Sequence, residues 1–411
     1  MKPIVTIDGD VTADFTLSCD RTYKITGEVF VQPPAVLTIQ PGTTVFGDKV
    51  TGAALVIRPG AKIHAQGEPD NPIVFTSEGG QFADPGDWGG LVILGDAPIN
   101  SLDSMGNEVQ TKVEGIVNEA NAYYGGQNAD DNSGILSYVR VEYGGKAIAP
   151  NNELNGITFG GVGRGTKVDH VMVRQTTDDC FEFFGGTVDA SHLICQAPGD
   201  DGFDWDLGYV GRLQFLVLQQ DVSYPTPGDM NGFEGDNDAA SSANVPISEP
   251  TIYNATLCGQ DYSMPQQYGA LLRHGTRAHI LNTVISGFEA AVDIRDGDGT
   301  GAGFEIRGSV FFDNTQVAYP EDQASPYGDD DSGFNEAAWL SNPANANSVA
   351  DVGITGCDDM NSLSLVPSAQ PGNAVAPPAD GFFDPTAIYA GAFRDADDTW
   401  AMGSWVVWAP N

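Results

Sequence analysis

The sequence predicts an all-β fold, a parallel β-solenoid (β-helix) of short stacked strands with long loop excursions and an irregular C-terminal cap. Three observations predict it. First, an apolar–acid–apolar triplet recurs as Phe181-Glu182-Phe183, Phe203-Asp204-Trp205, Phe233-Glu234-Gly235 and Val292-Asp293-Ile294. The first three stand behind polar turns (Asp178-Asp179-Cys180, Asp200-Asp201-Gly202 and Asp229-Met230-Asn231-Gly232), and their starts are 22 and then 30 residues apart. Those intervals are one solenoid coil, too long for a hairpin repeat. Second, Leu37-Thr38-Ile39-Gln40-Pro41-Gly42 returns 18 residues later as Leu55-Val56-Ile57-Arg58-Pro59-Gly60, with Val45 mapping onto Ile63. Third, 51 Gly and 25 Pro in 411 residues, with only 18% charged residues, call for many tight turns and little helix.

The N-terminal coils follow from alternation closed by Pro-Gly: a short strand, a turn, then the next apolar pair. Asn71–Thr76 and Gly90–Leu94 continue the pattern, and Ile135–Tyr143 alternates cleanly. Later coils carry a triplet strand and a second strand, predicted at Val168–Val173, Val188–Ile194, Leu213–Leu218, His279–Ile285 and Glu305–Phe311. Strands this short bury a core only by stacking around one shared bore. Residues 100–132 and 221–250, rich in Asn, Asp, Ser and Gly, read as excursions from the stack. The pattern fades near 321, which divides the chain into a β-helix over 1–320 and a loop-rich segment over 321–411 that packs on and caps it. Within that segment Glu336–Leu340 predicts one short helix. Trp400, Trp405 and Trp408 read as an aromatic cap over an open solenoid end, with a carbohydrate-stacking surface as the alternative.

Fifty-six acidic against 18 basic residues give a formal charge of −38. That sign excludes a generic binder of nucleic acid or anionic membrane and favours divalent cations, a saline medium, or both. No apolar stretch is long enough to span a bilayer, and residues 1–20 lack the apolar core of a signal peptide, so the chain is cytosolic or has lost a leader. Five cysteines (Cys19, Cys180, Cys195, Cys258 and Cys357) are too scattered for a disulfide scaffold and form no zinc motif; they allow one or two bridges and leave at least one thiol over.

Stacking in register places Glu182, Asp204 and Glu234 in one column, about 4.8 Å from rung to rung. Their phenylalanine neighbours point into the bore and the acids point out. Two unit charges about 5 Å apart repel by about 0.8 kcal/mol in water and about 3 kcal/mol at an effective dielectric of about 20. Exposed, such a column costs little; walled by the 221–250 excursion, it needs a cation or a proton. Calcium fits the oxygen-only donors, and the turn residues Asp178, Asp179, Asp200 and Asp201 extend the candidate metal set. The competing reading of each pair is turn chemistry. Asp296-Gly297-Asp298-Gly299-Thr300-Gly301 resembles the start of an EF-hand loop, but Arg307 stands where its last ligand belongs. The same alignment sets Asp206, Asp236, Arg273 and Arg295 in a neighbouring column, as a candidate binding site or as cross-rung ion pairs such as Asp236–Arg273. His170 and His192 fall at equivalent coil positions and read as a stacked structural pair. Gly160–Gly165 reads as a coil turn, since no helix follows it.

Further runs carry a resemblance. They include Gly86-Asp87-Trp88-Gly89-Gly90-Leu91, Tyr124-Gly125-Gly126, Asn152-Glu153-Leu154-Asn155-Gly156, Phe184-Gly185-Gly186-Thr187-Val188, Asp200-Asp201-Gly202-Phe203-Asp204, Asn231-Gly232-Phe233-Glu234 and Asp380-Gly381-Phe382-Phe383. Together they resemble a family of secreted bacterial right-handed parallel β-helix proteins over nearly the whole chain. The resemblance implies the pectin-lyase-like fold and an extracellular or cell-surface location, and it supplies no settled chemistry. Two classes of function follow. One is a calcium-stabilised structural, adhesive or glycan-binding protein, whose partners are polysaccharide or cell-surface glycan, with self-association through the solenoid ends. The other is an enzyme. In a lyase of this fold calcium holds a uronate while Arg273 withdraws the α-proton, which requires a strongly perturbed arginine. In a hydrolase, Asp179 and Asp201 are the paired carboxylates. Asp178-Asp179-Cys180 and Asp201-Gly202-Phe203 resemble polygalacturonase motifs, but in reversed order, with Arg273-His274-Gly275 and Arg295-Asp296 departing from the remaining ones.

Overall fold

Alternating apolar residues in successive coils do build one shared interior. The computed structural model describes residues 2–147, 153–221, 230–240, 243–259, 267–296, 299–319, 331–357, 359–361 and 365–408. Among these, ten parallel strands form one sheet and seventeen form a second that wraps the remaining sides, giving a right-handed parallel β-helix. One antiparallel pair, Thr111–Lys112 with Tyr123–Tyr124, lies in the 100–132 excursion. The single α-helix among the described residues is Glu336–Leu340, where expected, with the Asn335 side chain accepting from the Ala338 amide at 2.7 Å. No helix among them is long and apolar enough to cross a membrane.

The bore is filled by stacked layers. Phe181 lies over Phe203 at 5.4 Å and 4°, Phe159 over Phe183 at 5.1 Å, and all four rings are fully buried. Such rings fix the register, because a slip of one residue would drive the intervening acids into the apolar interior.

The second strands of the coils are bent where sequence alternation slips. Val168, Val171 and Val173 all enter the core, as do Ala190, Leu193 and Cys195, and Leu213, Leu216 and Leu218. The odd spacing is absorbed by one left-handed residue per rung: Tyr138, His170, His192, Phe215, Asn254 and Asn282, with φ between 49° and 61°. The expected strand over His279–Ile285 is broken at this point into Ala278–Leu281 and Val284–Ser286, and Glu305–Phe311 is likewise divided, at Gly308, into Phe304–Arg307 and Val310–Phe312. Among residues other than glycine, Asn, Asp and His tolerate the left-handed region best; here the column also stacks its rings. Tyr138 meets His170 at 4.5 Å, His170 meets His192 at 4.2 Å, and His192 meets Phe215 at 4.8 Å. Both histidine Nδ1 atoms lie against Asp169, at 2.7 and 2.8 Å.

The C-terminal tryptophans differ from their expected place. They run along a flank of the solenoid instead of closing an end. Trp405, Phe393, Ala392 and Leu365 cover the outward column Met172, Ile194, Val217, Val284 and Val310. The Trp405 amide donates to the Pro69 carbonyl at 3.0 Å, and Arg140 donates to the Ser404 carbonyl at 2.8 Å. The outer face of these strands is apolar, so it needs a cover more than the ends do. A Cys258–Cys357 disulfide fastens this segment to the flank, Cys180–Cys195 lies within the core, and Cys19 is free and exposed. Strand pairing runs on to Ser348–Val349 beside Val310–Phe312, and Phe334 and Leu340 join the bore's core.

Candidate functional site

One outward row of the ten-stranded sheet changes character along the solenoid. Its paired residues are Phe30, Val56, Val92, Thr158, Glu182, Asp204, Glu234, Leu271 and Asp293. The early apolar members are covered by the 100–132 excursion through Val113, Ile116, Ala122 and Tyr124, joined by Leu154. At the other end Leu271 packs with Tyr268, Ala290 and Tyr319. Three acids therefore occupy the gap between two apolar covers; their alignment in one column is what the triplet spacing predicts.

The preceding turns deliver the rest. Asp179 Oδ1 accepts the Asp201 amide at 2.8 Å, and Asp201 Oδ1 accepts the Asn231 amide. Each turn carboxylate thus caps the next coil with one oxygen. Potential ligand atoms of Asp178, Asp179 and Asp200 lie within 4.8 Å of one another, as do those of Asp179, Glu182 and Asp204, and those of Asp201, Asp204 and Glu234. The three groups share Asp179 and Asp204, so all seven expected ligands form one continuous patch. Asn155 donates to Glu182, and Asn231 Nδ2 donates to Glu234 at 2.9 Å. Asp204 Oδ1 is buried without a hydrogen-bond partner.

The neighbouring column is also formed in the expected order. The amides of Asp236, Arg273 and Arg295 donate to the carbonyls of Trp205, Gly235 and Leu272 at 2.9, 2.9 and 2.8 Å. Its side chains divide. Arg273 pairs with Asp236 at 3.0 Å and with Glu234, the expected cross-rung ion pair, whereas Arg295 turns to Asp293 at 2.9 Å and to the Tyr268 hydroxyl at 3.1 Å. Arg295 is therefore outside the acidic patch. Gly297 and Asp298 of the EF-hand-like run lie outside the described residues, as does part of the 221–250 excursion; Asp296 accepts the His274 amide at 2.9 Å.

Burial, reinforced by like-charged neighbours, holds Asp179, Glu182, Asp201 and Asp204 well above the usual carboxylate range. Asp178 and Asp206 are each raised to about 7, again chiefly by burial. Arg273 shifts the other way from a base: burial favours its neutral form, but Glu234 and Asp236 outweigh that and hold it as a cation. It is a counter-ion, held in the protonated form by Glu234 and Asp236 and so a poor proton acceptor.

Several participants escaped the sequence reading. Glu114, carried in by the 100–132 excursion, is raised to about 7 by burial and by Glu153 and Asp206. His274 Nδ1 lies 3.2 Å from Asp236. Asn155 and Asn231 stand in the motif runs Asn152–Gly156 and Asn231–Glu234, which by themselves assign them no role; no pattern in the sequence marks Glu114.

The potential ligand atoms are hard carboxylate oxygens, with the unpartnered Asp204 Oδ1 at their centre. That set fits calcium and fits zinc poorly. A family model described as "Pectate-lyase like beta helix domain" matches residues 9–350. No curated protein and no solved structure shows a significant match to the chain.

Proposed function

Because the chain belongs to the pectate-lyase-like β-helix family, we propose that it engages acidic polysaccharide outside the cell through a divalent cation, calcium foremost, held along the acidic row. The observation that carries this reading is Asp204 between Glu182 and Glu234, with its Oδ1 lacking a partner. Among the described residues, Arg273 is the arginine that pairs with one of the three central acids, through Glu234. Among so many buried carboxyls, charge balance calls for bound cations or protons. A chain of charge −38 repels a polyuronate, whereas a shared cation joins the two sets of carboxylates. Two disulfides support an oxidising, extracellular compartment.

A lyase or hydrolase is the second reading, favoured by one observation. Glu114, Asp178 and Asp206 are raised to about 7, where a carboxyl exchanges protons readily at neutral pH. Asp179 and Asp201 each commit an oxygen to a backbone amide, so they are poorer candidates for that work.

Affinity electrophoresis through gels containing polygalacturonate tests the proposal. Migration should be retarded with millimolar calcium and restored by a chelator. Equal migration in both conditions would overturn it, and ultraviolet-absorbing unsaturated ends or new reducing ends in the gel would select the enzymatic reading.

A further inference from the structure

We propose a second ligand site, for a neutral saccharide, in the cleft between the left-handed ring column and the C-terminal segment. It lies on the seventeen-stranded sheet and shares no residue with the acidic row. The cleft is about 370 Å³, within the roughly 300–1,000 Å³ of small-ligand sites, and is lined by Phe215, Phe382, Trp400, Asp384, Tyr389 and Asp398, among others.

Its walls come from distant parts of the chain and are braced against collapse. Gln214 Oε1 accepts the Asp384 amide at 2.8 Å, while Asn254 Nδ2 donates to the Tyr389 carbonyl at 2.7 Å. Arg212 joins Asp380 at 2.7 Å, and Trp400 Nε1 donates to the Ala392 carbonyl at 3.0 Å. A cleft already ordered loses little entropy on binding. Aromatic walls suit the C–H faces of a pyranose ring, and hydroxyl groups need acceptors and donors at the rim. Those are present: Asp384 Oδ1 is taken by Thr386, leaving its second oxygen, and Asp398 Oδ2 is taken by the Arg394 amide, leaving Oδ1. With Nδ1 of His192 on Asp169, Nε2 is that ring's remaining polar atom. Arg394 pairs with Asp395 at 2.8 Å, so the rim is acidic and disfavours a uronate, and no cation is required for a neutral sugar.

The test is tryptophan fluorescence of the whole chain in a chelator, which removes the proposed cation of the acidic row and so keeps the two readings apart. Cellotetraose, mannotetraose and xylotetraose are the probes, with tetragalacturonate as the charged comparison. At least one neutral probe should give a saturable change, and Phe382→Ala and Asp384→Asn should each weaken it roughly tenfold, the equivalent of one good contact. Asp384→Asn keeps the oxygen that caps Thr386 and therefore the fold. No saturable change with any neutral probe, tighter binding of tetragalacturonate, or unaltered affinity in both variants would overturn the proposal.

Discussion

Asp204 is paired with Glu234 across adjacent parallel strands, and the two carboxylates share one cluster although the charge of each disfavours the other. Their juxtaposition is enforced from within, since Phe203 packs against Phe233 in the bore, the rings tilted at 54° and 5.9 Å apart, and the acids alternate with those rings. Packing therefore holds together what electrostatics would part.

Asp204→Asn separates these two forces. In chelator the variant should melt higher than the parent, because one unit of repulsion is gone. With calcium it should melt lower, having lost the central ligand. The parent itself should gain at least about 3 °C from saturating calcium, since about 100-fold excess over Kd adds about 2.7 kcal/mol. Overlapping calcium and chelator curves for the parent would remove the metal.

The pH dependence without cation should run opposite to ordinary acid denaturation. Glu114, Asp178 and Asp206 are raised to about 7 in the fold, so the native state binds more protons than the unfolded chain between about pH 4 and 7. Stability is then fully present below the unfolded values and is lost as pH rises through about 7. His192, whose affinity for a proton burial lowers, opposes this below about pH 6.5, and carboxyls held low by their partners, such as Asp48 by Lys24, oppose it only below about pH 4. Thermal melts in chelator at pH 5 and pH 8 should show the higher midpoint at pH 5; calcium should close the gap by raising the pH 8 value.

Arg273→Ala should cost about 2–3 kcal/mol in urea unfolding at neutral pH. That is below the roughly 3–5 kcal/mol of a fully buried pair, because 22% of the side chain is exposed. Arg273→Lys should recover part of the loss, being able to reach one carboxylate but not to fork between Glu234 and Asp236.

Phe203→Ala removes a ring stacked on Phe181 and packed at a tilt against Phe233. Loss of about 3–5 kcal/mol is expected, read as a lower urea midpoint with unchanged slope.

The register of the acidic row is legible in the sequence because triplets of one pattern, an acid behind an apolar residue, recur at coil spacing and leave one way to stack them. The order of the Asp236–Arg273–Arg295 column follows from the same alignment. Glu114 is hidden for a physical reason: it arrives on an excursion whose path is set by Val113 and Ile116 packing on Val92 and Leu94, and loops carry no period. The left-handed column left a trace, since Val168-Asp169-His170-Val171 spaces its inward residues by three where a straight strand requires two. Trp405 misleads for a similar reason, because its partners Met172 and Ile194 alternate with core residues and look like part of the same strand, not a second apolar surface.

Stacked coils sense only their immediate neighbours, and such arrays can unzip from an end. Here the polypeptide that leaves the last coils is bonded at Cys357 to Cys258 and, through Ser404 and Trp405, reaches Pro69 and Arg140. Early and late coils therefore share a common partner, and loosening either strips contacts from the other. Heating should produce one calorimetric transition for the whole array, and a proteolytic nick after Cys357 should resolve it into two.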